Sequence, residues 1–270
     1  MPIDVSVVIP TVCRPRELAE ALDSVLSQEE ISLEIIVVDD SPDRVARAVV
    51  EKFTDSRIRY LTNPSPSKGT ASTVRNAGAE VAAGRFVHFL DDDDKAPVGH
   101  YAAMVAAFEA NPEIGVIFGR VEPFGDDAEK LVHERAFFAS SSRRAALTQR
   151  FGRRWALSTR MFFDRTLFVC GAAMIRRECI GPAGGFDPDL RIAEDVDFYG
   201  RAIQKYGGRF VDRVTLHYRI WDRSIMHTST LDPNEVRNSY RKIHAQYRAQ
   251  NGNLPYLFAK ILARTLFRLV

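Results

Sequence analysis

Four consecutive carboxylates, Asp91, Asp92, Asp93 and Asp94, follow directly on the apolar run 86–90. Charges of one sign at this density repel one another, and a hard divalent cation such as Mg2+ or Mn2+ is the usual way to make them tolerable. In an extended segment alternate side chains face the same way, so Asp91 and Asp93 are expected to point together into a crevice. A D-x-D pair would hold the cation incompletely and leave positions for diphosphate oxygens. On the residues alone a second reading stays open: a solvated acidic turn in which Asp94 caps the next helix. Asp39 and Asp40 end another apolar run, 33–38, and Glu194, Asp195 and Asp197 open a helical pattern, where acids also suit the positive end of the helix dipole.

The elements that must position these acids are legible in the first third of the chain. Short β-rich runs at 5–9, 33–38, 57–61 and 86–90 alternate with helical patterns at 45–53, 70–83 and the segment opened by Pro15, whose Leu18, Leu22, Val25 and Leu26 form one stripe. That alternation predicts a parallel sheet built from β-α units. Two apolar strands whose carboxyl ends both carry aspartates place those groups along one sheet edge, where open α/β folds keep their ligand crevice. Downstream, 98–108 reads as a helix, 114–118 as a strand, 168–175 as a return to the sheet, 193–206 as a helix, 209–217 as a last strand and 233–270 as a helical tail. The weakly periodic stretch 122–165 is too long for a connector and reads as a functional flap or a partly disordered segment.

Composition bounds the classes. At 270 residues and 46% hydrophobic content the chain can bury a full core, and 37 basic against 35 acidic residues give a net charge of +2 that marks no nucleic-acid partner. Cys13, Cys170 and Cys179 are an odd number without C-x-x-C spacing, so neither a disulfide framework nor a zinc site is expected. The start lacks a basic, then apolar, leader, and no run approaches the roughly 18 apolar residues of a membrane span. The expected location is cytoplasmic, or peripheral at the inner face of a membrane. Lys260, Arg264 and Arg268 form one stripe on a tail rich in Leu, Ile and Phe, which suits an interfacial helix on an anionic membrane and equally a helix packed on the domain.

In order and spacing, Val5-Ser6-Val7-Val8-Ile9-Pro10-Thr11, Leu26-Ser27-Gln28, Ile36-Val37-Val38-Asp39-Asp40-Ser41, Val74-Arg75-Asn76-Ala77-Gly78, Gly84 through Leu90 running into the aspartates, Gly185-Phe186-Asp187 and Glu194-Asp195-Val196-Asp197 resemble the family 2 glycosyltransferases. The resemblance runs from Val5 to about Tyr218. It implies an α/β fold of the GT-A (Rossmann-like) type, a mostly parallel central sheet flanked by helices, over residues 1–220. About 1–120 would bind the nucleotide sugar and about 121–220 the acceptor, with a C-terminal helical extension at 221–270.

The activity it implies is inverting transfer of a sugar from a UDP- or dTDP-sugar to an acceptor hydroxyl on a glycan, a lipid-linked or a small molecule. For the donor it implies Asp40 at the base, Pro10 and Thr11 as the floor beneath it, Lys68 and Arg75 facing phosphates or base, and Asp92 at the ribose. Mn2+ or Mg2+ would sit on Asp93 and Asp91, and Asp195 would be the general base, with Glu194 near the acceptor. Asn76 and Gly78 are expected to be structural, and Asp39 to be a turn former or a ligand. The arginines Arg143, Arg144, Arg150, Arg153 and Arg154 around Trp155 fit a loop over the site or a grip on an anionic acceptor.

Three positions depart from the family pattern. Cys13 stands where Asn is common, Pro97 is one residue nearer the acids than usual, and Trp221 stands where a histidine often completes the metal's coordination, which leaves Asp222 or His227 as substitutes. Two rival readings remain. A sugar nucleotidyltransferase would carry a glycine-rich loop after the first strand, where this chain reads Pro10-Thr11-Val12-Cys13-Arg14. A non-catalytic nucleotide-sugar sensor would bind the donor without turning it over.

Overall fold

Continuous apolar runs of β-branched residues cannot leave either face in water, so they become inner strands covered by helices on both sides. In the computed structural model, which describes residues 2–63, 70–164, 166–221 and 232–265, β1 (Val5–Thr11) and β2 (Leu33–Asp39) are such strands and are buried almost throughout. With β3 (Ile58–Thr62), β4 (Phe86–Phe89), β5 (Val116–Phe124), β6 (Ala173–Arg176) and β7 (Gly208–Arg219) they form one seven-stranded sheet in the order β3-β2-β1-β4-β6-β5-β7. β6 alone runs antiparallel to its neighbours.

Seven helices lie where helical patterns were expected: α1 (Pro15–Leu26), α2 (Val45–Val50), α3 (Ala71–Val81), α4 (His100–Glu109), and later α8 (Glu194–Tyr206) and the tail, which divides into α9 (Pro233–Asn251) and α10 (Asn253–Arg264). The stretch expected to be a flap or partly disordered is instead α5 (Ala128–Thr148) and α6 (Trp155–Phe163). Its periodicity is weak because α6 is buried on nearly every side, including the fully buried Arg160, so it shows no polar face. The short helix α7 (Arg177–Ala183) was not anticipated, because it holds an internal proline, Pro182.

Close approaches fix how the helices seat. A Cβ on Gly78 would lie 2.3 Å from the Val8 side chain, so α3 touches the sheet at that residue. Replacing Gly78 with alanine is expected to destabilise the fold by about 1–3 kcal/mol, read as a lower midpoint in urea, because the strand beneath is fully packed. Asn76, two residues earlier, clasps the backbone of Phe186 from both sides: its Nδ2 donates to the Phe186 carbonyl (2.8 Å) and its Oδ1 accepts from the Phe186 N–H (2.9 Å). The Arg-Asn-Ala-Gly sequence thus carries two structural residues, as expected, and one that faces the crevice. Gln28 holds the loop after the acids, donating to the Pro97 carbonyl and accepting from the His100 N–H. α9 is tied in by Lys242 and Gln246, both on the Asp187 carboxylate, and by Tyr247 against Phe162.

Candidate functional site

The carboxyl ends of β1, β2 and β4 open on one cavity of about 420 Å3, and the start of α8 closes its other side. Pro10, Thr11, Asp40, Arg75 and Asp195 line it, together with Asp91, Asp92 and Asp93. These are all the site residues expected from sequence except Lys68, which lies outside the described residues, as do Asp222 and His227.

The acidic run is not extended. Asp94 N–H donates to the Asp91 carbonyl at 3.1 Å, closing a turn, so alternation does not apply and three carboxylates rather than two face the cavity. Turning lets each carboxylate meet a different partner. Asp91 accepts from Arg75 (2.6 Å), Asp92 from the Thr11 hydroxyl (2.7 Å) and Arg14 (2.8 Å), and Asp93 from Trp221 Nε1 (3.0 Å), with Arg14 3.1 Å away. Asp94 is turned away from the cavity: it accepts from the Arg219 N–H and ties the acidic turn to β7. It caps no helix, since α4 starts only at His100 behind Gly99.

Burial pushes the Asp92 carboxyl up to about 7 against the pull of Arg14, with repulsion from Asp93 adding to the rise. Burial raises Asp93 as well, opposed by Arg14 and reinforced by Asp91, and burial with its two acidic neighbours raises Asp94. The acidic turn is thus a buried set of hard oxygens in mutual repulsion, a donor set that fits a divalent cation. Among the described residues no three His, Cys, Asp or Glu side chains converge as a ready ligand set, so the rest of the shell would have to come from donor and water oxygens.

The two acidic pairs at the other ends divide sharply by role. Asp39 turns back into the protein, accepting from the Ser41 N–H and hydroxyl and from the Tyr60 hydroxyl, and so forms the turn that presents its neighbour. Asp40 is buried at the cavity wall, where Asn63 Nδ2 donates to it at 2.6 Å and its own N–H donates to the Thr11 carbonyl. At α8, Asp197 points away and is held by Arg201 at 2.6 Å. Asp195 lines the cavity and accepts from the adjacent Val196 N–H at 2.8 Å. Burial, then repulsion from Glu194, push the Asp195 carboxyl up to about 7 despite the opposing charge of Arg75. The residue before this pair, Ala193, has φ +61, a left-handed conformation that costs a non-glycine residue and sets the direction in which α8 starts.

Arg75 binds the site together. Its buried guanidinium pairs with Asp91 at 2.6 Å and with Glu194 at 2.7 Å, so one side chain spans from the acidic turn to the start of α8. Two contributors were not anticipated. Arg14, expected only as part of the loop after the first strand, bridges Asp92 and Asp93 and lies over the Trp221 ring at 5.4 Å. Trp221, read as the absence of a metal ligand, donates a hydrogen bond to Asp93. A cation three residues past the end of a site strand was the available signal for Arg14, since three clustered carboxylates need one nearby.

Comparison with known proteins agrees with this architecture. The family model described as "Glycosyl transferase family 2" matches residues 6–180. The chain is 35% identical over 116 residues to a GalNAc(5)-diNAcBac-PP-undecaprenol beta-1,3-glucosyltransferase of Campylobacter jejuni, covering 42% of this chain and 37% of that protein. It is 39% identical over 90 residues to the UDP-Glc:alpha-D-GlcNAc-diphosphoundecaprenol beta-1,3-glucosyltransferase WfgD of Escherichia coli, covering 33% and 35%. The match thus spans little more than a third of the length of these relatives. Among solved structures, S. aureus TarS 1–349 in complex with UDP-GlcNAc superposes with a TM-score of 0.67 at 18% identity, over 95% of this chain and 69% of that one. The mostly parallel sheet, its flanking helices and the C-terminal helices are those of the GT-A fold expected above. With the family model covering well over half of the sequence, from β1 to α7, the chain belongs to glycosyl transferase family 2.

Proposed function

We propose that this chain is an inverting glycosyltransferase that moves a sugar from a UDP-sugar to an acceptor hydroxyl. The observation that carries the reading is the cavity itself, in which a carboxyl raised to about 7, Asp195, shares one space with Asp40 and the acidic turn. An acceptor-only carboxylate such as Asp40 suits the imide N–H of uracil or thymine, with Pro10 and Thr11 beneath the base and Asp92 within reach of the ribose. Uridine is preferred over thymidine because the names of the E. coli relative and of the TarS complex both carry UDP. The same names, with the C. jejuni enzyme, support a polyprenyl-diphosphate-linked glycan as acceptor.

In this mechanism Asp195 accepts the proton of the acceptor hydroxyl as its oxygen attacks the anomeric carbon, and the bond from that carbon to the diphosphate breaks on the opposite face. Arg75 keeps Asp91 and Glu194 in place, so the acidic turn and the base hold a fixed separation. Asp93 and Asp91 would hold Mn2+ or Mg2+, which when bound neutralises charge developing on the leaving diphosphate. Arg14 balances part of the cluster's charge from within. Family membership and the loop after β1, which lacks a glycine-rich phosphate grip, argue against a sugar nucleotidyltransferase.

Titration of UDP by calorimetry, run beside turnover of a donor panel, tests the proposal. Asp40→Ala is expected to weaken UDP binding by about 1–3 kcal/mol, because the base's donor groups lose their buried acceptor. Unchanged UDP affinity in Asp40→Ala would remove Asp40 from the donor site. Tight binding with no turnover of any donor would leave the sensor reading in place of the enzyme.

A further inference from the structure

Helix α10 is built inside out. Its alanines, Ala259 and Ala263, face the protein and are almost fully buried, while Leu254 is 80% exposed, Phe258 58% and Ile261 59%. At 100° per residue Leu254, Leu257, Phe258 and Ile261 fall on one stripe about 100° wide, opposite the two alanines. The stripe continues onto a second element. Trp155, at the start of α6 and itself 40% exposed, stacks on Phe258 with centroids 5.7 Å apart, and the turn leading into it carries the exposed Phe151. Single exposed apolar residues are ordinary, but a contiguous apolar face drawn from two distant segments marks a contact surface.

Charge identifies the partner. Arg264 flanks the stripe on α10, and Arg150, Arg153 and Arg154 are exposed on the turn before Trp155. Neither segment, 149–163 or 253–264, contains an acidic residue, and after Glu235 the chain holds seven Lys and Arg and no Asp or Glu, against a net charge of only +2 for the whole. Arg153 pairs with the exposed Glu113 at 3.1 Å, and the rim that remains is predominantly basic; such a rim around leucine, phenylalanine and tryptophan is the pattern of an interfacial helix on an anionic bilayer. No described helix is long and apolar enough to cross a membrane, so the contact would be parallel to the surface.

We propose that the outward face of α10, together with Trp155 and the arginine-rich turn before it, docks the protein on an anionic lipid surface. A lipid-linked acceptor would be met there, and this goes beyond the transfer reading, which concerns the cavity alone. The stripe lies in the membrane interface and the arginines lie at headgroup level. Lys260 is the less exposed cation of α10, with its ammonium over the Tyr256 ring, and Arg153 is paired with Glu113, so Arg264, Arg150 and Arg154 carry the attraction.

The test is co-sedimentation of the full chain with vesicles of phosphatidylcholine alone and with phosphatidylglycerol added. Binding is expected to the anionic vesicles only, and to weaken with salt. Phe258→Gln with Ile261→Gln is expected to lower partitioning by about tenfold or more, and Arg154→Glu with Arg264→Glu by at least about fivefold per reversed charge. Both pairs are exposed, so the melting temperature should stay near that of the parent. Val98→Gln, on the loop between β4 and α4, serves as a more exposed apolar control and should bind as the parent does. Equal sedimentation with neutral and anionic vesicles, or undiminished binding by the Gln pair, would overturn the proposal. So would a parent dimer by light scattering that the Gln pair makes monomeric, since the stripe would then be covered by a second copy. Sedimentation needs no turnover, so failure here and failure of the transfer reading are separate results.

Discussion

Asp195→Asn is expected to lose about 10²–10⁴-fold in turnover while UDP affinity stays unchanged. The amide keeps the size of the side chain and its contact with the Val196 N–H but does not take up the acceptor's proton. None of the groups proposed to hold the donor, Asp40, Arg75 and Asp93, hydrogen-bonds to Asp195 among the described residues, so binding and chemistry should separate cleanly. A pH profile sharpens the expectation. Because the Asp195 carboxyl is pushed up to about 7, it is protonated and inert as a base below that pH, so kcat/KM should rise through about pH 7 and then level. Glu194→Gln removes the neighbouring negative charge that helps hold the value up, so the acid limb should move to lower pH. Single-turnover kinetics across pH 5–9 measure both, and full activity in Asp195→Asn would sink the assignment.

The second large effect is expected at Asp93. Asp93→Asn should abolish most transfer, on the order of 10²-fold or more, and EDTA should do the same to the parent protein reversibly, because the leaving diphosphate would lose its neutralising charge. The fold should survive: the substitution removes one charge from a cluster in which Asp92, Asp93 and Asp94 are all raised by burial, and an amide oxygen can still accept from Trp221. Calorimetric titration of Mn2+ in the presence of UDP checks the binding step apart from turnover. Undiminished transfer in chelator would mean that Arg14 and Arg75 suffice to balance the diphosphate.

The β-α alternation, the strand ends that carry acids and eight of the residues that line the cavity were legible in the sequence. Strands 5–9, 33–38 and 86–90 were readable because burial on both faces demands unbroken apolar runs. The segment 122–165 failed for the converse reason. α5 has only a few buried positions along 21 residues and α6 is buried all round, so neither shows the one-sided period by which a surface helix is read. The short α7, with Pro182 inside it, gives no period at all.

Residue type and order along the chain by themselves determined that carboxylates would gather at one sheet edge, because strand direction is a local property. That Asn76 and Gly78 are structural followed from the family resemblance. Only the tertiary structure decided which carboxylate meets which cation. Arg14 and Asp92 lie 78 residues apart, Arg75 and Glu194 119, and Trp221 and Asp93 128. Whether the acidic run stays extended or curls into a turn depends on those distant partners, since the repulsion among Asp91 to Asp94 is relieved where Arg75 arrives from α3, Arg14 from the loop before α1, and the Arg219 N–H and Trp221 from the end of β7 and the residues just after it. The direction of α10 was decided in the same way: its composition is amphipathic in either orientation, and it is the fit of Ala259 and Ala263 against α6 that turns the large apolar residues outward.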